Sequence, residues 1–451
     1  MTRSLKKLLC IFSFFLPLLF SVNAQAVLDL QLTQGVQGAI PIAIVPFAGQ
    51  TDAQAPNNVA GVVNADLQNS GRFRLMSQGD MKQTPNSADQ VDFSYWQKQN
   101  MDNMVVGSVQ SAGGGRYRVQ YQLVNVYADK SAGDKKTSGP GWQNSVVLSD
   151  SFTVSGDQLR GLAHHISDAV YQKLTGDRGI FSTKIAYVTA QQSPRGSLYT
   201  LEVSDMDGYN PKPLLKSNQP IMSPSWSPDA KRLAYVSFEQ GRPTVYVQDL
   251  ASGGRQLVSD FPGLNSAPDW SADGRRLALV LTQTGNPKIF TMSIGSKQVS
   301  EVTSGDSIDT EPTWAPGDRF IYFTSSRGGG PQIYRVSPGS SDVKRITFEG
   351  SYNASPSLSA DGQTLTMLNG NNNQFNIAVQ DIASGRYTIL TRSGDAQSPS
   401  IAPNGKMIIY STRSGGRGVL GMVSTDGRVR LILPSREGDV REPAWSPFLQ
   451  S

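Results

Sequence analysis

The side chains best suited to metal binding or proton transfer are scarce in this chain. Its 451 residues include two histidines, His164 and His165, and one cysteine, Cys10. Neighbouring residues on a helix point about 100° apart, so these histidines cannot bind one metal ion together. We interpret them as ordinary surface or interdomain residues. The segment 205–208 resembles the start of a calcium loop but lacks the later glutamate, so we read it as a turn and expect no metal and no cofactor.

Serine and carboxylate chemistry are also poorly supported. No serine has glycine both two residues before and two residues after it, which excludes the nucleophile motif of α/β-hydrolases. No histidine follows His165, so the second half of the chain cannot form a Ser-His-Asp triad. Asp269, Asp309 and Glu311 could act as paired carboxylates on a sugar, but acids are common at turns. We therefore expect a protein that is not an enzyme.

The first 26 residues have the pattern of a secretory signal peptide. Basic residues at positions 3, 6 and 7 precede an apolar run over 8–20, and Ala24-Gln25-Ala26 supplies small residues for cleavage. The run is shorter than the roughly 20 apolar residues that a membrane-spanning helix needs. We predict export and removal of residues 1–26, with cleavage after Ala24 as the alternative.

The composition indicates a globular chain rich in turns. Hydrophobic residues make up 38% and charged residues 17%, which argues against disorder and against a coiled coil. The 44 glycines and 26 prolines are typical of folds with many short strands. The net charge is +5, and residues 1–26 carry three of the positive charges, so the mature chain has no basic excess that would indicate nucleic-acid binding.

The second half of the chain repeats with a period of 43 or 44 residues. Each copy has a short segment that ends in a large apolar residue, followed by a strand pattern; these marker residues are Trp226, Trp270, Trp314, Leu358, Ile401 and Trp445. Each period has room for four short strands separated by turns, which is typical of propeller blades. We expect the tryptophans to pack between neighbouring blades.

The two ends of the repeat complete one blade. No strand pattern follows Trp445, whereas Lys184 to Thr189 has the second-strand pattern without a preceding marker. The C-terminal strand is therefore expected to form the innermost strand of the first blade, which removes an open sheet edge. The sequence predicts a six-bladed β-propeller over residues 184–451.

The first half predicts a separate α+β domain over residues 27–176, joined to the propeller by a linker over 177–183. Its expected elements are strands over 39–47 and 73–75, a hairpin over 104–127, and helices over 57–67 and 157–174.

Segments in both halves carry a family resemblance: Ile40 to Phe47, Ala65 to Gly71, Tyr171 to Gly176, Lys184 to Val188, Ser204 to Asn210 and Thr310 to Trp314. Over essentially the whole mature chain the sequence resembles the TolB family, the periplasmic components of the Tol-Pal cell-envelope system of Gram-negative bacteria. The resemblance implies a non-enzymatic periplasmic adaptor that supports outer-membrane integrity and cell division. It implies binding to the lipoprotein Pal through one propeller face and to TolA through the mature N-terminus.

The resemblance leaves some partners and one alternative open. Other outer-membrane proteins are further candidate partners, and we expect a monomer that is peripheral to the envelope and does not span a membrane. The alternative function is a propeller-type hydrolase or a glycan-binding protein of the periplasm.

Loops on one propeller face are the candidates for Pal binding. Loops before the innermost strands and loops between the second and third strands emerge on the same face. From them we select Glu311, Thr310, Asp309, Leu264, Asn265, Ala267, Tyr352, Asn353 and Arg327. Glu311 is the main candidate, because Thr310-Glu311-Pro312 matches the Pal-facing loop of the family, whereas some relatives carry a polar residue in place of Leu264. We expect Glu311→Ala to weaken Pal binding without lowering stability; the alternative is that these loops are polar only because turns are.

The mature N-terminus alternates apolar and polar residues as a half-buried strand does. The strand consists of Val27, Leu28, Asp29, Leu30, Gln31 and Leu32. Two interpretations are open: a fixed edge strand, or a detachable strand that pairs with the sheet edge of a partner. Gly35 and Gly38 would let the segment move, and the family resemblance favours the detachable strand, with TolA as the partner.

Overall fold

Strands dominate the described part of the chain and form seven sheets. The computed structural model describes residues 29–32, 38–50, 58–128, 141–194, 196–433 and 438–449. Six sheets build a propeller, and the seventh belongs to an N-terminal domain. The first described strand, β1 (Asp29–Leu32), adds a fifth strand to one of the propeller sheets. Within these ranges no helix has the length and hydropathy needed to cross a membrane.

The N-terminal domain is a mixed sheet with helices on both faces. Its strands are β2 (Ile40–Ile44), β3 (Phe73–Leu75), β4 (Asn103–Gly113), β5 (Arg116–Asn125) and β6 (Val146–Ser155). They lie in the order β3-β2-β4-β5-β6, and β2 runs parallel to both of its neighbours. The helices are α1 (Val59–Asn69), α2 (Phe93–Lys98) and α3 (Leu159–Thr175). Single 3₁₀ turns span Gln78–Asp80, Ala88–Gln90, Gly141–Ser145, Gly156–Gln158 and, in the propeller, Pro316–Asp318.

Local sequence signals set the ends of the two long helices. The side chain of Asn58 caps α1 by accepting a hydrogen bond from the backbone N–H of Gly61 at 2.7 Å. Helix α3 ends at Gly176, which has φ = 79°, a left-handed conformation that glycine adopts without strain. Both helices pack on one face of the sheet, where residues such as Val63 and Ile166 are fully buried.

Each propeller blade is an antiparallel sheet of four strands, named A to D from the centre outward. In chain order, blades one to three contain β7 (Lys184–Ser193), β8 (Gly196–Asp205), β9 (Lys212–Ser217), β10 (Ile221–Trp226), β11 (Arg232–Ser237), β12 (Thr244–Asp249), β13 (Arg255–Ser259), β14 (Asn265–Trp270), β15 (Arg276–Leu281), β16 (Lys288–Ser293) and β17 (Val299–Glu301). Blades four to six contain β18 (Asp309–Trp314), β19 (Ile321–Ser325), β20 (Gln332–Val336), β21 (Lys344–Arg345), β22 (Tyr352–Leu358), β23 (Thr364–Asn371), β24 (Gln374–Asp381), β25 (Tyr387–Ile389), β26 (Gln397–Ile401), β27 (Met407–Ser414), β28 (Arg417–Ser424) and β29 (Val429–Ile432). The last strand, β30 (Asp439–Trp445), returns to blade one.

The predicted closure of the ring is confirmed. Strand β30, from the C-terminus, is strand A of blade one and pairs with β7, with Trp445 opposite Ile185. The indole N–H of Trp445 donates to the hydroxyl of Thr183 at 2.8 Å. The two ends of the propeller therefore share one sheet, and this removes the open edge that an incomplete blade would have.

The marker tryptophans pack between blades, as expected. Trp226 and Trp270 are buried, and each indole N–H donates to a main-chain oxygen of the preceding blade, that of Ala444 at 3.0 Å and that of Ser225 at 3.1 Å. Each of these residues therefore both fills the inter-blade core and fixes the register of adjacent innermost strands.

The N-terminal domain packs on the propeller face formed by the loops between strands A and B and between strands C and D. Arg160 and His164 of α3 approach the C–D loop of blade one at Asp207. Gly71, after α1, lies against Val429 of blade six. The opposite propeller face, which we call the distal face, consists of the D–A and B–C loops, such as 302–308, 326–331 and 346–351.

Candidate functional site

Every innermost strand contains one non-glycine residue with a left-handed backbone. These residues lie three positions before each marker and immediately before a proline: Ser223, Ala267, Glu311, Ser355, Ser398 and Glu442, with φ between 47° and 53°. Each sits where the pairing between strands A and B shifts register. The innermost strands surround a central channel of about 510 Å³. A left-handed backbone is uncommon and strained for residues other than glycine. The six residues therefore form a ring of conformationally constrained positions beneath the distal face.

Glu311, the main candidate contact, is fixed by this ring. Its carboxylate accepts hydrogen bonds from the backbone N–H of Ser355 at 2.9 Å and from its hydroxyl at 2.6 Å. The hydroxyl of Thr324 donates to the same carboxylate at 2.7 Å. Glu311 therefore joins blade four to blade five, which the sequence did not indicate.

Asp309 is buried rather than presented to a partner. Its side chain has no exposed surface, and it accepts from the Arg327 guanidinium at 3.0 and 3.1 Å and lies 3.3 Å from Lys288 Nζ. Burial opposes ionisation, but the Ser325 hydroxyl and Arg327 outweigh it and hold the pKa of Asp309 below its ordinary value. The expectation that Asp309 contacts a partner directly is therefore revised. Instead, Asp309 holds its own loop and the side chain of Arg327, another candidate contact, in place.

Asn265 and Asn353 occupy the equivalent position in blades three and five, and both are fully buried. The amide of Asn265 donates to the main-chain oxygen of Phe261 at 2.7 Å, and that of Asn353 donates to the main-chain oxygen of Glu349 at 2.7 Å. In this conformation neither side chain can contact a partner, so they hold the D–A loops in shape. Their burial follows from a shared position in strand A, five residues before the marker, where the side chain points into the blade.

The remaining distal-face candidates are partly exposed: Thr310, Leu264, Ala267 and Tyr352. The ring of Tyr352 packs edge-on against Phe375, with the ring centroids 5.4 Å apart. Burial, with a smaller effect of Glu311, raises the pKa of Tyr352 above its ordinary value, so its hydroxyl stays protonated at neutral pH.

Two apolar side chains on the same face were missed by the sequence analysis. Ile308 and Phe348 are 52% and 71% exposed. Both lie in D–A loops that flank blade four, and the guanidinium of Arg345 lies 5.1 Å from the Phe348 ring centroid. In the sequence, the signal for Phe348 was a single aromatic residue within a polar loop. Exposed apolar residues of this kind are typical anchors of protein interfaces.

The N-terminal strand β1 pairs with the outer edge of blade six. It runs antiparallel to β29, with Leu30 opposite Leu431 and Leu32 opposite Val429. Blade six thus has five strands. Val27 and Leu28, the first two residues of the expected strand, and the expected signal peptide over 1–26 lie outside the described residues.

His164 and His165 have different environments. His165 is exposed and lies edge-on to Phe152, whereas His164 is buried between the domains. Nδ1 of His164 lies 2.8 Å from Oδ2 of Asp66, and the hydroxyl of Ser167 donates to that same oxygen at 2.7 Å. The serine is thus bonded to the carboxylate and not to the imidazole, so this cluster is not arranged as a catalytic triad.

The aspartates of the expected calcium-like turn take part in ion pairs. Asp207 binds the guanidinium of Arg160 and lies 3.9 Å from Nε2 of His164. Asp66, His164 and Asp207 therefore approach one point. The Asp207 oxygen that faces His164 also binds the Arg160 guanidinium, so in this structure these residues form an ion-pair network.

Asp269, proposed above as a sugar-cleaving candidate, is also engaged internally. Its carboxylate accepts from the backbone N–H of Trp314 at 2.7 Å and from the hydroxyl of Ser225 at 3.2 Å. Burial raises the pKa of Asp269 to about 6. Because these hydrogen bonds link three consecutive blades, the carboxylate of Asp269 acts as a structural cross-link.

The fold defines a two-domain protein in which a six-bladed propeller carries a small α/β domain on one face and leaves a rim of loops on the other. Two family models match the chain: the TolB amino-terminal domain over residues 28–132 and the TolB beta propeller domain over residues 171–449. The chain belongs to the TolB family, and the resemblance seen in the sequence is confirmed.

Individual relatives agree over the full length. The Tol-Pal system protein TolB of Coxiella burnetii is 59% identical, with 96% of each chain covered. The Tol-Pal system protein TolB of Nitrosococcus oceani is 52% identical, with 99% of each chain covered. The crystal structure of TolB from Acinetobacter baumannii is 40% identical and superposes with a TM-score of 0.82, covering 94% of this chain and 100% of that chain.

Proposed function

We propose that this protein is an exported, non-catalytic periplasmic adaptor of the Tol-Pal system. In this proposal it binds Pal through the distal face of the propeller and TolA through its mature N-terminus, and it supports outer-membrane integrity and cell division. The observation that carries the proposal is that the N-terminal domain lies on only one of the two propeller faces. The N-terminal domain covers the A–B and C–D loops of blades one and six, and the described residues leave the distal face open to a partner.

The distal face offers the chemistry of a protein interface. Ile308 and Phe348 supply exposed apolar surface, and Arg327 and Glu311 supply charges that internal hydrogen bonds hold in place. Polar loops with a few apolar anchors are typical of specific but non-obligate complexes. Asp309 and the buried asparagines contribute indirectly, because they hold the loops in one conformation before binding.

The Pal site is tested by calorimetric titration of soluble Pal into the mature protein. Glu311→Gln keeps the size of the side chain but removes its charge, and loss of a charged partner at an interface commonly weakens binding by about 2 kcal/mol or more. Asp273→Asn is the control, because Asp273 lies in an A–B turn on the opposite face. If Glu311→Gln binds Pal normally while a folded Asp273→Asn variant does not, the chosen face is wrong.

The mature N-terminus is the proposed TolA site. Strand β1 is held by the edge of blade six through main-chain pairing. A strand that joins one sheet edge in this way can join the edge of another protein by the same bonds, so release from β29 would make it available to TolA. Deleting residues 27–32 should abolish TolA binding while leaving the propeller folded and Pal binding unchanged. Unaltered TolA binding would exclude this segment.

A further inference from the structure

A buried cluster of charged side chains joins the two domains. Its N-terminal half is formed by Asp66 of α1 and by Ser167 and His164 of α3. Asp66 and His164 are only 4% and 2% exposed. Because a carboxylate oxygen can only accept when ionised, Nδ1 of His164 must donate the proton in its 2.8 Å contact with Asp66.

The propeller half is formed by blade one. Arg160 of α3 binds Asp207 and also reaches Asp205, whose Oδ2 lies 3.4 Å from the guanidinium Nε. Lys184, at the start of β7, binds Asp205 from the other side. The guanidinium of Arg160 lies 4.0 Å from the ring centroid of Tyr209, which covers the cluster on the propeller side.

With all of its carboxylates ionised, this cluster is balanced in charge only if His164 is protonated. Asp66, Asp205 and Asp207 then contribute three negative charges, and Arg160 and Lys184 contribute two positive charges. Burial raises the pKa of Asp207, and attraction to His164 and Arg160 opposes that rise and favours the ionised carboxylate. Asp168, also on α3, interacts with Asp66; burial raises the pKa of Asp168, although its oxygens accept from the N–H groups of Phe181 and Ser182. A buried uncompensated charge is strongly unfavourable, so the arrangement selects the imidazolium form.

The position of Nε2 supports this conclusion independently. Nε2 of His164 is buried, has no hydrogen-bond partner among the described residues, and faces Oδ2 of Asp207 at 3.9 Å. In the neutral ring this nitrogen would turn a lone pair toward a carboxylate. In the imidazolium it turns an N–H bond toward the carboxylate, which is attractive across the domain boundary.

We propose that His164 is a proton-dependent latch: its imidazolium holds the N-terminal domain on the propeller by attraction to Asp66 on one side and Asp207 on the other. Loss of the Nε2 proton leaves an uncompensated negative charge at the boundary and weakens the contact between the domains. The latch is independent of the proposed Pal and TolA sites, because neither of them includes these residues.

The direction of the pH effect follows from the surroundings of the ring. Burial alone would lower the pKa of His164, but the carboxylates of Asp66 and Asp207 outweigh burial and raise the pKa above its ordinary value. A group whose pKa is raised in the folded protein stabilises the fold below its unfolded pKa and loses that contribution as the pH rises through its folded pKa. The contact between the domains should therefore weaken as the pH rises above 6.5, the ordinary pKa of histidine.

The protonation of His164 can be measured directly, because the chain has only two histidines. A ¹H–¹⁵N correlation spectrum of both rings, recorded from acidic to alkaline pH, gives one titration for each, and His165→Gln assigns them. His164 should remain an imidazolium as the pH rises past 6.5, the ordinary pKa of histidine. A His164 that loses its proton at or below this pH overturns the proposal.

The link to domain contact is tested with Asp207→Asn, which removes the propeller carboxylate and leaves the Asp66–His164 bond intact. This change should shift the His164 titration to lower pH. In wild type, the protection of amides in α3 and in residues 205–210, taken relative to the intrinsic exchange rate at each pH, should fall as His164 deprotonates, and His165→Gln should behave as wild type. An unshifted titration, or exchange that does not follow it, contradicts the latch. A titration that changes on addition of EDTA or Zn²⁺ would assign the cluster to a metal and also overturn it.

Discussion

Glu311 of blade four binds Ser355 of blade five through two hydrogen bonds, one from the backbone N–H at 2.9 Å and one from the hydroxyl at 2.6 Å. Glu442 occupies the same position in the first blade and accepts a hydrogen bond from the backbone N–H of Ser223 in the second. In both pairs a left-handed residue directs its carboxylate to the left-handed residue of the next blade. The residue expected to contact Pal is thus also a cross-link of the ring.

Glu311→Ala should therefore lower stability, contrary to the expectation from the sequence. It removes the carboxylate that accepts from the Ser355 hydroxyl and N–H, although this N–H also donates to the Thr324 hydroxyl at 3.1 Å. Loss of a hydrogen bond to a charged group commonly costs about 1.5–3 kcal/mol. Glu311→Gln retains an acceptor and should cost less. Urea unfolding followed by circular dichroism measures both. Ser398→Ala is the matched control, because Ser398 has the same backbone conformation and the described residues give its side chain no hydrogen bond; an equal loss in Ser398→Ala would refute the cross-link.

Truncation before Glu442 should destroy the propeller as a cooperative unit. The deleted residues include most of strand A of blade one and Trp445, whose removal exposes the apolar surface of neighbouring strands. The expected result is aggregation or a broad, non-cooperative melt in calorimetry. A chain shortened only by residues 450–451 should melt as the full chain does. If the longer truncation also melts normally, the assigned closure does not hold the ring.

Gly71→Ala should destabilise the contact between the domains. Gly71 has φ = 66°, and a Cβ at this position would overlap Cγ2 of Val429. The variant thus introduces both backbone strain and a clash with blade six. Val429→Ala removes the clashing methyl groups, so the double variant should lose less stability than the sum of the two single variants. Simple additivity would show that the clash is relieved in another way.

The contribution of Asp269 to the free energy of unfolding should decrease as the pH rises, which is the opposite of the usual behaviour of a carboxylate. Its pKa rises from 3.8 to about 6 on folding, mainly because of burial. The folded state then binds the proton more tightly than the unfolded state, so stability falls as the pH rises from about 4 to about 6, by at most about 3 kcal/mol. Urea unfolding across this range should show a shallower fall for Asp269→Asn. The same slope in variant and wild type would locate the effect elsewhere.

The exported protein should begin at Val27. Intact-mass measurement of the protein recovered from the periplasm tests this, and a mass that corresponds to Gln25 as the first residue would indicate cleavage after Ala24. A protein that retains Met1 would contradict the assignment of residues 1–26 as a signal peptide.

The sequence by itself determined the number of blades, the closure of the ring and the family. These properties depend on signals that recur at short range: the markers from Trp226 to Trp445 repeat with the period of one four-stranded sheet, and each strand needs only its neighbours in the chain to form a hairpin. The partial blade at each end of the repeat then left one way for the edges to pair.

Only the tertiary structure decided which of the candidate residues face solvent and how the domains meet. Asp309 and Asn353 lie in polar loops by sequence, but they are buried because strand A turns those side chains into the blade. Asp66, His164 and Asp207 are brought together from two helices and one blade, and β1 reaches blade six although some four hundred residues separate it from β29. No local pattern encodes such contacts, because each depends on how separately folded elements pack against one another.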